Sequence, residues 1–466
     1  MAWPVLPVVA TVLLLCLPGD RGPAVGAAGG LSAADMASAV LVVVCAVWLL
    51  RGRRQPLSGT AAVVPAALAV ALAVVTVASH DPVASLSGFL RFLQLFVLVP
   101  LAVLVALRGH RDFRLVAVSV VLLAAVQGAV GTHQYVTGTG ASYMGQDIRA
   151  VGTFGPLDVM GMATAVSYGL IIALGLALAP PATAPRWWRP AALGCAALLL
   201  VPLCVSFSRG AWIATAVAAT AVLLLAGLRQ AVRTLVLVVC AGVVLVGGAG
   251  IGSGMIAERL SSITQVTGTP DQSVTDRYAM WAAALSMWRD EPWTGVGPRG
   301  FAAHRDGHAS VALSSASDIA GAGRAFTREP LLSPHNMYLL VLSEQGLAGA
   351  TALAGAWVAL MLGALRRLAD RRRAGEALDT GLIAAGLLIW QTVNFLYSDI
   401  GGSSAVLTAV MFGLIAWWAL APASLGRSGP RPAAAPPVPV SRSGSGSGGR
   451  VPVQAARPGE ANGGAR

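Results

Sequence analysis

The 466-residue chain contains no lysine; all 32 of its basic residues are arginine. Charged residues make up only 11% of it, less than half of the roughly 25% in an ordinary soluble domain. That excludes a soluble globular enzyme, a disordered scaffold and a coiled coil. The five cysteines, Cys16, Cys45, Cys195, Cys204 and Cys240, all fall in apolar runs, with no C-x-x-C and no histidine at metal spacing. They are neither a disulfide framework nor a metal site. There is no Walker loop, no G-x-G-x-x-G, no H-E-x-x-H and no Asp-x-Asp pair. Asp290 and Glu291 are adjacent and precede Pro292, which suits a helix end better than a metal. No nucleotide-sugar donor, no metal and no cofactor is therefore expected.

What is present is apolar: 56% hydrophobic residues and a mean hydropathy of +0.72. A helix needs about 20 apolar residues to cross a bilayer. Runs near that length cover 3–18, 33–50, 58–79, 85–107, 115–135, 157–179, 190–207, 210–228, 234–255, 336–364, 380–397 and 403–420. The pattern predicts an all-α polytopic membrane protein with about 12 transmembrane helices. The first run has no Arg before it and is read as a retained helix rather than a cleaved signal.

Orientation follows from the arginines. With a cytoplasmic N-terminus, the short inner loops hold Arg51, Arg53, Arg54, Arg108, Arg111, Arg114, Arg186, Arg189, Arg229, Arg233, Arg366, Arg367, Arg371, Arg372 and Arg373. The short outer loops hold only Arg21, Arg149 and Arg209. This is the positive-inside distribution. It divides the chain into helices over 1–255, one large extracytoplasmic loop over 256–335, further helices over 336–420, and a Pro/Gly/Ser-rich cytoplasmic tail over 421–466 expected to be disordered. The formal net charge of +12 is then a matter of topology, and no nucleic-acid partner is expected.

Residues that oppose these trends mark candidate chemistry. Arg91 and Glu344 lie inside apolar runs, where charge is costly. Gln391, Asn394 and Tyr397 share one helical face; the functional reading is a polar cavity, the alternative plain helix–helix hydrogen bonding. In the large loop, Ser273 or Thr275 can cap a helix with Asp276 in its first turn. On that helix Arg277, Trp281 and Trp288 share a face suited to the headgroup level. Pro292 ends the helix, and Gly295 and Gly297 allow a turn that brings backbone N–H groups to a ligand. Arg149 and Arg209 sit beside Gly-rich and Ser-rich turns on the outer side, where an arginine needs an anionic partner. Guanidinium forks match phosphate oxygens, so Arg149, Arg209 and Arg277 together suggest a diphosphate site. His335, just before the tenth run, is the best candidate base. Its rivals, His304 and His308, lie in a looser stretch over 303–328.

These segments together resemble the O-antigen ligase and polymerase superfamily of bacterial membrane glycosyltransferases. The matching pieces are Arg149 with Gly152-Thr153-Phe154, Ser208-Arg209-Gly210-Ala211-Trp212, Arg277-x-x-x-Trp281 running to Pro292-x-x-Gly295-x-Gly297, and His335-Asn336 followed by Glu344-x-Gly346. The resemblance covers roughly residues 85–400. It implies a GT-C-like helical fold and transfer of a glycan from an undecaprenyl-diphosphate carrier to an acceptor hydroxyl, with inversion and without metal. The acceptor would be another glycan, a lipid, a wall polymer or a protein, at the outer face of the cytoplasmic membrane. His335 would be catalytic, Arg149, Arg209 and Arg277 would bind the diphosphate, and Arg91, Trp281, Asn336 and Glu344 would support the cavity or loop. Where the family often has Asn-Pro-Asn after Gly-Thr-Phe, this chain has Gly155-Pro156-Leu157-Asp158, which leaves that asparagine's role without a counterpart. A repeat-unit polymerase of the same superfamily is the nearest alternative. A secondary transporter would predict repeated halves and midspan breaks, and neither is seen.

Overall fold

A computed structural model describes residues 4–18, 33–52, 57–143, 148–156, 158, 160–181, 183–229, 232–233, 236, 272–310, 313, 316–321 and 324–421. Its contacts divide the chain into a unit over residues 1–426 and a second over 427–466. The second, nearly all of the ninth apolar run and the start of the large loop lie outside the described residues.

The described part is mostly helical: α1 (Leu6–Leu14), α2 (Ala33–Leu50), α3 (Gly59–Ala78), α4 (Pro82–Leu93), α5 (Val99–Ala106), α6 (His110–Thr137), α7 (Gly161–Leu178), α8 (Trp188–Val205), α9 (Arg209–Ala226), α10 (Gln272–Asp290), α11 (Phe301–His308), α12 (Met337–Arg373), α13 (Asp379–Asn394) and α14 (Ser404–Leu420). Among the described residues, eight helical stretches are long and apolar enough to cross a membrane, with α14 a shorter apolar helix beside them. The chain is a polytopic helical membrane protein.

Local chemistry sets the helix ends. Ser58, Asp81 and Ser208 each accept a backbone N–H from the first turn of α3, α4 and α9, as N-caps do. Between α4 and α5 the chain makes a single π turn, Gln94–Leu98, in which the Val99 N–H reaches back to the Gln94 carbonyl. Pro100 has no N–H to continue the α ladder there. Helix α10 begins at Gln272, so Thr275 lies inside its first turn rather than capping it.

Helix α7 is buried along its whole length. Small residues let its neighbours close on it: a Cβ at Gly169 would stand 2.3 Å from the Ala124 side chain of α6, and one at Gly175 2.6 Å from Ile383 of α13. Polar bonds inside the bundle follow the interhelical pattern. Tyr168 of α7 donates to Gln391 of α13, and Trp390 Nε1 donates to Thr215 of α9 at 3.0 Å. At the end of the bundle where α6 and α13 begin, Arg114 forks onto the buried Asp379.

The wholly helical expectation needs one correction. A small antiparallel sheet, in the order β1 (Ala141–Tyr143), β2 (Ala316–Gly321), β3 (Arg324–Pro330), joins the loop after α6 to the large loop. Ala141 pairs with Gly321, whose φ of +97° and approach to the Gly140 carbonyl leave no room for a Cβ. The stretch expected to be loose over 303–328 is thus largely helix α11 and strand. The pairing is with a segment 176 to 180 positions away, beyond the reach of local patterning.

Candidate functional site

The site lies at the end of the bundle where α8 turns into α9, α12 begins, and α13 turns into α14. His335 immediately precedes the α12 N-cap. Its φ is +49°, a left-handed conformation uncommon outside glycine. The surroundings impose it. The His335 N–H donates to Ser333 Oγ at 3.2 Å, and Trp281 of α10 donates to the Pro334 carbonyl at 2.9 Å. On the other side, Asn336 Oδ1 caps the Leu339 N–H at 3.1 Å while its Nδ2 donates to the Leu396 carbonyl. Trp281 and Asn336 thus hold the loop, and the imidazole, 45% exposed, is left facing outward from it.

Facing the ring is a residue that the sequence did not single out. Asp399, in the turn between α13 and α14, places Oδ2 3.9 Å from His335 Nδ1. This is longer than a hydrogen bond and within ion-pair range. Asp399 also accepts the Ser333 hydroxyl, so Ser333 links the His335 backbone to the carboxylate. Partial burial pulls the His335 pKa below its usual 6.5; Asp399 opposes the shift and Arg277 adds to it.

Arg277 and Arg209 complete the group. Helix α10 buries Met280, Ala284 and Met287 against Val296 and Phe301, which fixes the position of Arg277 one turn ahead. Desolvation and the neighbouring Arg209 lower the Arg277 pKa, and Asp399 raises it. Two guanidinium groups are therefore brought close enough to oppose each other's charge. Arg209 is the first residue of α9, directly after its Ser208 cap. Gly210 lets that helix end sit against Tyr397, whose Cβ would be 2.8 Å from a side chain there. Paired cations of this kind are stabilised by a shared anion.

Arg149 enters through its backbone, which bridges Ala141 in both directions at 3.0 and 2.8 Å. The following Gly152-Thr153-Phe154 turn is held by two glutamines of α6, Gln134 and Gln127. Gln134 Oε1 accepts the Val151 and Gly152 N–H groups at 3.1 and 2.9 Å. Gln127 Oε1 accepts the Thr153 N–H at 2.9 Å. They lie seven residues apart on one helix face, and this spacing is the only sequence signal they give.

Other candidates have different partners. The amides of the Gly295-x-Gly297 turn do not face a ligand: Gly295 donates to Glu291, Val296 to Ser343 and Gly297 to Glu344, at 2.9 to 3.0 Å. Helix α12 breaks at Gly346 (φ +58°), and Leu347 and Ala348 return bonds to the Pro292 and Trp293 carbonyls at 2.9 and 3.0 Å. Two separate motif pieces are thus one interlock. Glu344 belongs to it and accepts the Phe301 N–H at 3.1 Å, at the start of α11. Arg91 pairs with the buried Asp35 of α2, and its second nitrogen donates to the Gly402 carbonyl at 3.2 Å. Gln391 is used by Tyr168, while Asn394 donates to Ser398 at 2.7 Å beneath the His335 loop. His308 meets Ser286 and Asp290, and His304 bonds back to Gly300. Among the described residues, no three His, Cys, Asp or Glu side chains cluster as a metal-holding set.

In comparison with known proteins, residues 194–354 match the family model described as O-antigen ligase. That segment contains Arg209, Arg277, His335 and Glu344, and stops short of Asp399. No curated protein matches the chain.

Proposed function

We propose, for a chain whose residues 194–354 match the family model described as O-antigen ligase, that it moves a glycan from an undecaprenyl-diphosphate carrier to an acceptor hydroxyl. The transfer would take place at the extracytoplasmic face of the cytoplasmic membrane, within a GT-C-like bundle whose C-terminus is cytoplasmic. The observation that carries this reading is the convergence of Arg209, Arg277, Asp399 and His335 on one end of the bundle.

The donor's anomeric carbon bears a diphosphate, so its bond is already activated. The acceptor oxygen forms the new C–O bond as the bond to the diphosphate breaks, inverting the carbon. Arg209 and Arg277, with Arg149 from the neighbouring loop, face the charge that develops on the leaving diphosphate. His335 takes the acceptor's proton. With Nδ1 turned to Asp399, its Nε2 is the nitrogen left for the acceptor, and Asp399 stabilises the imidazolium that forms. Burial holds the His335 pKa below the usual histidine value, which favours the neutral ring that can accept a proton. The residues present supply this chemistry without calling on a metal.

Replacing Arg277 or His335 by Ala is expected to abolish transfer while the protein remains at normal levels in the membrane. Full activity in both variants would overturn the assignment. A polymerase would use the same donor and site, with a second lipid-linked repeat as acceptor. An assay offering a purified lipid-diphosphate glycan alone separates the two: elongation favours the polymerase, and dependence on an added second acceptor favours the ligase.

A further inference from the structure

The segment between α13 and α14, residues 395–403, carries Asp399 and contains two glycines in succession, Gly401 and Gly402. Left to itself, such a turn would not fix a carboxylate. Its first half is tied to the His335 loop, since the Met337 N–H reaches the Phe395 and Ser398 carbonyls at 2.9 and 3.2 Å. Its second half is held by two residues distant in sequence. Arg91, anchored in the bundle by Asp35 and by Gln94 Oε1 at 3.2 Å, donates to the Gly402 carbonyl at 3.2 Å. Asp158 accepts the Ser404 N–H at 2.8 Å and the Ser404 hydroxyl at 3.0 Å. Gly402 has φ +67°, and a Cβ there would stand 2.5 Å from the Asp158 carboxyl carbon. Glycine at 402 thus lets the turn close against the Asp158 carboxylate.

Resting on the reading of His335 and Asp399 given above, we infer that Arg91 and Asp158 are positioning residues for the proton-accepting pair: they clamp the 399–404 turn so that Asp399 faces His335. This gives the intramembrane Arg91 a function beyond neutralising Asp35. It also gives Asp158 a role in the Gly155-Pro156-Leu157-Asp158 segment, where a carboxylate two residues beyond Pro156 reaches across to the start of α14. Neither residue touches the reacting atoms. Their effect travels through backbone bonds to a carboxylate three to five residues away.

The consequence is electrostatic and can be read without knowing the acceptor. An anion near an imidazole favours its protonated form, so a turn that lets Asp399 swing away lowers the His335 pKa. The test is the titration of His335 in full-length protein labelled with nitrogen-15 histidine and reconstituted in lipid nanodiscs, with the resonance assigned by His335→Gln. Asp399→Asn should lower the midpoint. Arg91→Lys keeps a cation for Asp35 but loses the fork that reaches Gly402; it should lower the midpoint in the same direction, by about half a unit, roughly a threefold change in proton affinity. Asp158→Ala should do likewise, and Asp158→Asn, which keeps an acceptor for the Ser404 N–H, should restore it. If Asp158→Ala does not fold, Arg91→Lys carries the test alone. A midpoint unmoved by Arg91→Lys, and by Asp158→Ala where it folds, while Asp399→Asn shifts it, overturns the clamp. A midpoint that Asp399→Asn itself leaves unmoved overturns the His335–Asp399 pair instead.

Discussion

His335 occupies a left-handed backbone conformation that costs of order 1 kcal/mol and persists only where the surroundings enforce it. Three independent bonds do so here, from Ser333, Trp281 and Asn336. The chemistry of the ring is set by burial and by two opposed charges. Because burial, with Arg277, depresses the pKa and Asp399 raises it, the acid limb of a pH–rate profile is expected below the usual histidine range near 6.5. Asp399→Asn removes an anion, so the limb should move to still lower pH while the plateau rate falls. Arg277→Gln removes a cation, so any residual activity should show its limb at higher pH. A limb that moves oppositely in either variant would contradict the assignment. Arg209, Arg277 and His335 were legible in the sequence because each stands against a trend: arginine on the arginine-poor side, or histidine at the edge of an apolar run. Asp399 was not. It reads as an ordinary acid in a Ser-Asp-Ile-Gly-Gly turn, and its partner Ser333 is 66 positions away.

Among the elements, the broken helix α12 organises the site. The interlock between residues 292–297 and 343–348 fixes where α10 ends and α12 starts. Gly346→Ala would combine a positive φ with a Cβ 2.4 Å from the Trp293 carbonyl carbon. It is expected to cost at least about 1 kcal/mol, visible as a lowered thermal midpoint of the purified protein. Glu344→Gln keeps an acceptor for the Phe301 N–H and should be milder than Glu344→Ala, which leaves the amide buried without a partner. Equal midpoints for these two variants would argue against the capping role. The glycines and Glu344 could be picked out from sequence, and their purpose could not. Spacing alone permits a ligand-facing turn, and only the pairing with α12 shows that the amides are already spent. The small sheet was invisible for a related reason, since β1 and β2 meet across some 180 positions of sequence.

For the molecule as a whole, the apolar runs revealed the polytopic helical class at once, because a bilayer demands length and hydrophobicity that few other folds need. The packing within that class depends on residues that look unremarkable in sequence, such as Gly169, Gly175, Gln127 and Gln134. At one end Arg114 forks onto the fully buried Asp379; Asp379→Ala, which leaves the cation unpaired, is expected to cost about 3–5 kcal/mol, seen as loss of folded protein from the membrane. At the other end Arg277, with Arg209 beside it, lies near the His335–Asp399 pair. The most direct test of that convergence is glycan transfer in proteoliposomes supplied with a purified undecaprenyl-diphosphate-linked glycan and candidate acceptors. The account predicts product with the wild-type protein and a loss of at least about 100-fold with His335→Ala and with Arg277→Ala at equal protein levels. Undiminished transfer by both variants would contradict it.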